Sequence, residues 1–446
     1  MSKKFTFRGG IHPNHCKSLT EHLQTEAFPA PPVAVIPLSQ HIGAPATPLV
    51  AKGDQVYVGQ LIGEPAGKVS GAVHSSVAGT VLSVRPFPHP SGRLVNSVEI
   101  ENDGTDDYIE FEPTAQPWRE AAPGELLNKI AECGVVGMGG ASFPTHVKLA
   151  PPPGKPIDTL IINGAECEPY LTADHRMMVE RVEDVLTGAQ ILKKILNASA
   201  VYFGIEDNKK DAATAIYDRT AGSRFNDITL VVLKPKYPQG GEKTLITAIT
   251  GRKVPSGGLP MDAGCVVQNV GTALAVFDAV MRGMPLYQRV ITVTGTDMRS
   301  PKNLLVRVGT PVRSILEACG ADLRAAKKII MGGPMMGTAL SDLDVPVIKS
   351  TSGILSLSHT TEAARKYPCV NCGICVRSCP MRLIPSRLAK FVEKENYGDA
   401  LEWNLMDCIE CGSCAYMCPA KINLVQFFKL GKMKINAAKA AAKKAG

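Results

Sequence analysis

Eight cysteines near the C-terminal end carry the plainest chemistry. They fall in two runs, Cys369-Val-Asn-Cys372-Gly-Ile-Cys375-Val-Arg-Ser-Cys379-Pro380 and Cys408-Ile-Glu-Cys411-Gly-Ser-Cys414-Ala-Tyr-Met-Cys418-Pro419. Each reads C-x2-C-x2-C-x3-C-P, a spacing that holds [4Fe–4S] cubes. Three thiolates two residues apart can wrap one cube in a tight loop, with Gly373 and Gly412 letting the backbone pass close to inorganic sulfur. The fourth cysteine lies too far round to close the same cube, and the proline after it turns the chain away. The spacing therefore predicts one cluster on Cys369, Cys372, Cys375 and Cys418, and a second on Cys408, Cys411, Cys414 and Cys379. Zinc ribbons use pairs of C-x2-C rather than a quartet ending in Cys-Pro. Disulfides belong to exported chains, and nothing here suggests export. Two such clusters make the chain a carrier of single electrons.

A second constellation lies upstream. Gly134-Val-Val-Gly137-Met-Gly139-Gly140-Ala-Ser-Phe143-Pro144 packs four glycines into seven residues, with Lys148 just beyond. Such a loop lets the backbone approach a flat or phosphorylated group; a plain flexible loop is the commoner meaning of glycines alone. It follows a helical pattern rather than a strand, so it is not the usual dinucleotide fingerprint. Next comes the apolar run Thr159–Ile162, ending in Asn163-Gly-Ala-Glu166-Cys-Glu168-Pro169. Acids directly on a buried strand suit ligand binding better than helix capping, whereas Glu206 and Asp207 suit capping better. Tyr237-Pro-Gln-Gly240-Gly241-Glu242 then opens a helix whose free N–H groups favour an anion. Gly241 and Asn269, both at helix starts, complete the cofactor-binding candidates.

The elements needed to hold these groups can be read from pattern. Helices expected at 125–133, 182–196 and 209–219 alternate with strands at 159–163, 200–205 and 228–233, which predicts a parallel sheet with ligands at the strand ends. Residues 1–112 read as a β-domain whose segments 56–62 and 73–81 form a barrel-sandwich; Lys68 lacks the neighbours of a modifiable carrier lysine. The domain holding the candidate pocket spans 113–284, with a proline-rich linker at its start. A small β-grasp module follows at 285–350, then a linker, then a helical two-cluster domain at 360–425. A basic tail, 426–446, is expected to fray from 436 onward. The whole is a multidomain α+β and α/β chain. Net charge is +8, but six lysines in the last 18 residues supply most of it. The body is nearly neutral, so no nucleic-acid footprint is present. No run of about 18 apolar residues appears, and Met1-Ser-Lys-Lys-Phe5 does not read as a signal peptide.

In this order, Phe7-Arg8-Gly9-Gly10-Ile11-His12-Pro13, the glycine loop, Asn163-Gly-Ala-Glu-Cys-Glu-Pro and the twin cysteine runs resemble the RnfC component of the Rnf ion-translocating electron transport complex along nearly the whole chain. The middle domain also resembles the flavin-binding component of respiratory complex I. The resemblance implies a Rossmann-like flavin/NADH domain, an SLBB-like β-grasp module and a two-cluster ferredoxin domain. By position, Gly137, Gly139, Lys148, Asn163 and Glu166 would hold FMN, Phe143 and Glu168 would meet NAD(H), and Glu242 would lie beside both. Met138 stands where the complex I pattern has Arg, Ala165 where it has Asp, and Lys243 replaces a second acid. The implied activity is that of an NADH-oxidising or NAD-reducing oxidoreductase component of a ferredoxin:NAD+ translocase. Its partners would be the membrane subunits, with ferredoxin reached through one of them. It would sit peripherally on the cytoplasmic side of the inner membrane. An iron–sulfur wire or docking scaffold without its own flavin is the alternative. The related sodium-pumping quinone reductase has a component that shares the front domains but lacks the cysteine runs.

Overall fold

The computed structural model describes residues 5–222, 224–359 and 367–445. Residues 1–4, part of the segment read as lacking a signal peptide, and 360–366, where the linker passes into the expected two-cluster domain, lie outside the described residues.

The middle of the chain forms a four-stranded parallel sheet in the order Ile228–Leu233, Ala200–Glu206, Thr159–Gly164, Cys265–Asn269. Thr159 pairs with Ala200 on one side and with Cys265 on the other. Leu160, Ile161 and Ile162 are fully buried because helices cover both faces, which is why this strand is an unbroken apolar run. The helices Val182–Leu196 and Val270–Arg282 pack closely through Gly188, where an added Cβ would collide with the Ala273 carbonyl oxygen. Asn269 caps the second helix by accepting from the Gly271 amide at 2.7 Å.

Two small sheets build the N-terminal sandwich. One runs Val33–Pro37, Leu94–Asn102, Gly79–Pro88, Gln55–Val56, and the other Thr47–Pro48, Leu61–Glu64, Val73–His74. They close over Ala34, Ile36, Val56, Ile62, Val73, Val81, Val98 and Ile100. Residues before Val33 lie elsewhere. Thr25–Ala27 pairs in parallel with Lys302–Arg307, and Phe5 and Ile11 bridge to Leu233 and Tyr237.

The third unit is a six-stranded mixed sheet in the order Thr25–Ala27, Lys302–Arg307, Gln288–Gly295, Gly353–Leu357, Lys328–Met331, Thr338–Ala339. It extends past residue 350 into the stretch read as linker. Gly353–Leu357 lies between two strands and is buried at all but its last residue. The C-terminal unit contains the helices Pro385–Glu393 and Tyr397–Glu402 and a long helix, Leu424–Ala445. The segment expected to fray, from 436 onward, continues this helix to Ala445. Alanine and lysine are strong helix formers, and the helix is anchored at its start by buried Leu424, Phe428 and Ile435 against Leu388, Val392 and Leu405.

Candidate functional site

In the parallel sheet the strand order reverses between Thr159–Gly164 and Cys265–Asn269. Such a reversal leaves a crevice beyond the carboxyl ends of the two strands. Asn163 and Asn269 are register partners at that place. Asn163 donates from Nδ2 to the Gly240 carbonyl at 2.9 Å, and Asn269 donates from Nδ2 to Asp174 Oδ2 at 2.6 Å. The glycine loop lies over Asn269. Gly139 has φ +89°, and a Cβ there would be 2.7 Å from Asn269 Nδ2. The Met138 amide donates to Thr272 Oγ1 at 2.9 Å, and the Gly137 amide donates to the Phe143 carbonyl at 2.8 Å. Gly139, Gly140 and Ala141 form the exposed crown, while Phe143 is half-buried where the loop closes.

Lys148 reaches the same place from a one-turn helix. Its Nζ donates to the Val267 carbonyl at 2.6 Å and to Glu242 Oε1 at 2.7 Å. Gly241 precedes the helix Glu242–Thr250 and offers no side-chain cap, so the first-turn amides suit an anion. Glu166 adopts φ +44° and accepts the Asp174 amide on Oε1 at 2.7 Å. Its Oε2 is buried without a hydrogen-bond partner, 3.8 Å from the buried Lys17 ammonium. Burial pushes the Glu166 carboxyl up and the Lys17 ammonium down, with each partly offsetting the other. This donor set fits FMN: a lysine and an uncapped helix start for the phosphate, a glycine crown for the flat ring, and an orphaned carboxylate oxygen for a hydroxyl or ring N–H.

Glu168, expected from the resemblance to meet NAD(H), lies apart from this group in the structure. Its Oε2 accepts the Met335 amide at 3.0 Å and its Oε1 the Met336 amide at 2.9 Å. Both oxygens are therefore engaged by a loop of the β-grasp unit, and burial pushes its pKa up to about 7.

The eight cluster cysteines line two voids. Cys369, Cys372, Cys375 and Cys418 line one. Cys379, Cys408, Cys411 and Cys414 line the other. Each void thus gathers the four cysteines that the spacing assigns to one cluster. Burial pushes the Cys408 thiol up to about 11, so a thiolate there requires the positive charge that iron would supply. The two voids differ in their surroundings. Cys372 is exposed, whereas Cys411 and Cys414 are buried. The second void sits against the parallel-sheet domain. The Tyr237 hydroxyl donates to the Cys411 carbonyl at 2.8 Å, and the Gly257 amide donates to Asp407 Oδ1 at 2.9 Å.

Sequence alone gives no working role to Lys17, Asp174 or Tyr237. Tyr237 stands out there only as the first residue of the motif that opens a helix at Glu242. Asp174 has no local signal, since its place beside Asn269 depends on which strands are adjacent.

Comparisons with known proteins agree with this division of labour. Residues 130–278 match the Nuo51 FMN-binding domain, 5–105 the RnfC barrel sandwich hybrid domain, 368–422 a 4Fe-4S dicluster domain and 290–339 the SLBB domain. The C component of a proton-translocating ferredoxin:NAD(+) oxidoreductase complex from Clostridium ljungdahlii is 49% identical over 97% of this chain and 94% of its own length. The Na(+)-translocating counterpart from Acetobacterium woodii is 46% identical over 97% and 98%. The C component of an ion-translocating oxidoreductase complex from Rhodobacter capsulatus is 43% identical over 97% and 84%. Among solved structures, an NAD+-reducing [NiFe]-hydrogenase shares the fold at 18% identity with a TM-score of 0.51, over 71% of this chain and 63% of its own. Among the described residues no helix is long and apolar enough to cross a membrane. The chain belongs to the RnfC family, one of the subunits that make up the Rnf ion-translocating oxidoreductase complexes.

Proposed function

We propose that this chain exchanges electrons between NAD(H) and the membrane subunits of its complex, through FMN in the crevice and then through the two cysteine quartets in turn. The carrying observation is one packed junction. Asn163 bonds to Gly240, and three residues earlier in that same loop Tyr237 bonds to the Cys411 carbonyl. The flavin crevice and the Cys408 quartet thus share a single loop. Bound there, a flavin supplies the conversion of two electrons taken as hydride into single electrons that clusters accept.

This chain's own residues do the holding. Gly137 and Gly139 keep the loop low enough for a flat ring, and Lys148 with the Gly241–Glu242 helix start binds phosphate. Asn163, Asn269 and Glu166 orient the remainder, and half-buried Phe143 is placed at the loop's edge for a nicotinamide. The quartet of Cys408, Cys411, Cys414 and Cys379, with Cys411 and Cys414 buried, is the inner relay. The quartet of Cys369, Cys372, Cys375 and Cys418, with Val370 66% exposed beside it, is the outer one. A neighbouring protein of the complex exchanges electrons with the outer relay, and ferredoxin is served through that partner. The chain rests on the cytoplasmic face of the inner membrane, aided by the lysines of its long terminal helix.

Stopped-flow mixing of NADH with the reconstituted protein tests the reading. Bleaching of flavin absorbance followed by cluster reduction is expected. Gly139→Val adds bulk against Asn269 and forces a side chain into positive φ; it should expel the flavin while leaving both clusters reducible by dithionite. A wild-type protein that binds no flavin, or whose flavin NADH does not bleach, leaves only an iron–sulfur wire.

A further inference from the structure

Glu168 and Tyr237 meet between three units of the fold. Tyr237 is 1% exposed, and its backbone pairs both ways with Ile11 of the N-terminal segment, at 2.8 and 2.9 Å. Its hydroxyl lies 2.8 Å from the Cys411 carbonyl and 3.4 Å from Glu168 Oε1, so its single proton goes to the closer acceptor. The Glu168 carboxylate is fixed from the other side by the Met335 and Met336 amides. A Cβ at Gly333 would collide with Glu168 Oε2, so the β-grasp loop fits over this carboxylate only with glycine there. The same loop touches the cluster run directly, since a Cβ at Gly412 would meet the Met335 carbonyl at 3.1 Å. Ile11, Tyr237 and Cys411 form a small buried patch, with Cys167, Met335 and Ile409 packed around it.

We propose that Glu168 and Tyr237 form a latch that positions the Cys408–Cys414 loop against the flavin domain, with the Met335–Met336 turn as its keeper. Glu168 is then a positioning residue, not a contact for the dinucleotide. The assignment rests on the reading that this quartet is the inner relay, but its geometry can be tested without NADH. The latch predicts that two different substitutions disturb one cluster and spare the other. Removing the Tyr237 hydroxyl takes away a dipole whose positive end faces the inner quartet. Removing the Glu168 charge takes away a negative group behind it. The midpoint potential of the inner cluster should therefore fall in one variant and rise in the other.

The experiment uses the full-length holoprotein with Tyr237→Phe, Glu168→Gln and Gly333→Ala. EPR-monitored titration with dithionite and mediators gives both cluster potentials, and hydrogen exchange reads the amides of 405–414. Expected are opposite shifts of the inner potential in Y237F and E168Q, an unmoved outer potential, and exchange at 409–412 faster by about fivefold in all three. Wild-type exchange and wild-type inner potential in Y237F and E168Q would overturn the latch. So would an E168Q variant whose KM for NADH rises about tenfold while its inner cluster is unmoved, which would return Glu168 to the dinucleotide. If NADH fails to bleach the wild-type flavin, the proposed function falls, yet exchange and potentials still decide the latch.

Discussion

The two cysteine runs are near copies in backbone and unlike in surroundings. Asn371 and Glu410 hold φ +54° and +56°, Gly373 and Gly412 hold +70° and +80°, and Arg382 and Lys421 hold +60° and +54°. Each run continues into a short helix, Ile374–Ser378 or Ser413–Tyr416. Spacing therefore dictates the loop. What differs is the packing outside it. The Cys408 run is pressed against the flavin domain through Tyr237, against the Met335 turn and against Ile11 of the N-terminal segment; the first run meets that segment only at its far end, where the Gly10 amide donates to the Ser378 carbonyl at 2.9 Å. The Cys369 run faces outward, with Tyr367 and Val370 more than half exposed. Cluster potentials follow charge, hydrogen bonding and exposure. One motif has been placed in two environments, and a relay with direction needs that asymmetry.

The largest effect that could break this comparison concerns ligand exchange. Cys379→Ala should degrade the inner cluster, and Cys418→Ala the outer, each leaving the other EPR signal in place. Loss of the outer signal alone in Cys379→Ala would show that each run closes its own cube. Next is lability. With Cys372 exposed and Cys411 and Cys414 buried, ferricyanide or a chelator should bleach the outer cluster first. Simultaneous loss would mean that the buried surroundings do not shield the inner one.

That asymmetry marks where the sequence is readable. The cysteine runs are local, so the cofactor type can be read, and a pairing proposed, from spacing alone. The strands at 159–164, 200–206 and 228–233 are legible because covered parallel strands must be continuously apolar. Cys265–Asn269 is not, because five residues running straight into a helix look like that helix's approach. Gly353–Leu357 reads as linker although Ile354 and Leu355 are fully buried; its partners lie far off in sequence. Glu168 is hard to place for a similar reason. Its motif marks a strand end, but the Met335 turn that occupies it comes from another unit.

A smaller effect sharpens the electrostatic part of the comparison. Lys432 of the terminal helix donates to the Cys408 carbonyl at 2.5 Å and to Glu410 Oε1 at 2.8 Å. Asn371 stands in the outer run where Glu410 stands in the inner. Lys432→Gln removes a cation beside the inner cube alone. Reduction adds negative charge there, so the inner potential should become more negative. With the lysine partly exposed, about 1 kcal/mol is expected, or roughly 40 mV for one electron. The outer potential should not change, and a common shift of both would mean that the terminal helix acts on the domain as a whole.

The smallest effect belongs to the rim of the inner interface. Asp407, one residue before Cys408, accepts the Gly257 amide at 2.9 Å and the Ser256 hydroxyl. Both donors come from the loop after the helix Glu242–Thr250, so this contact ties the inner run to the flavin domain at a point separate from Tyr237. It is solvent-exposed, which limits its worth. Two hydrogen bonds to a charged acceptor at a wet surface should contribute about 1–2 kcal/mol, less than the same pair would in a dry interior. Asp407→Ala leaves all eight cluster thiols in place, so both clusters should load and titrate as in the wild type. The change should appear as faster protease cleavage in the loop 251–259 and modestly faster exchange at 405–408, with residues 369–375 unaffected. If both runs loosen together, the cluster domain moves as one rigid piece on the flavin domain. If neither does, Asp407 is a bystander and docking rests on the buried contacts at Tyr237, Met335 and Gly10.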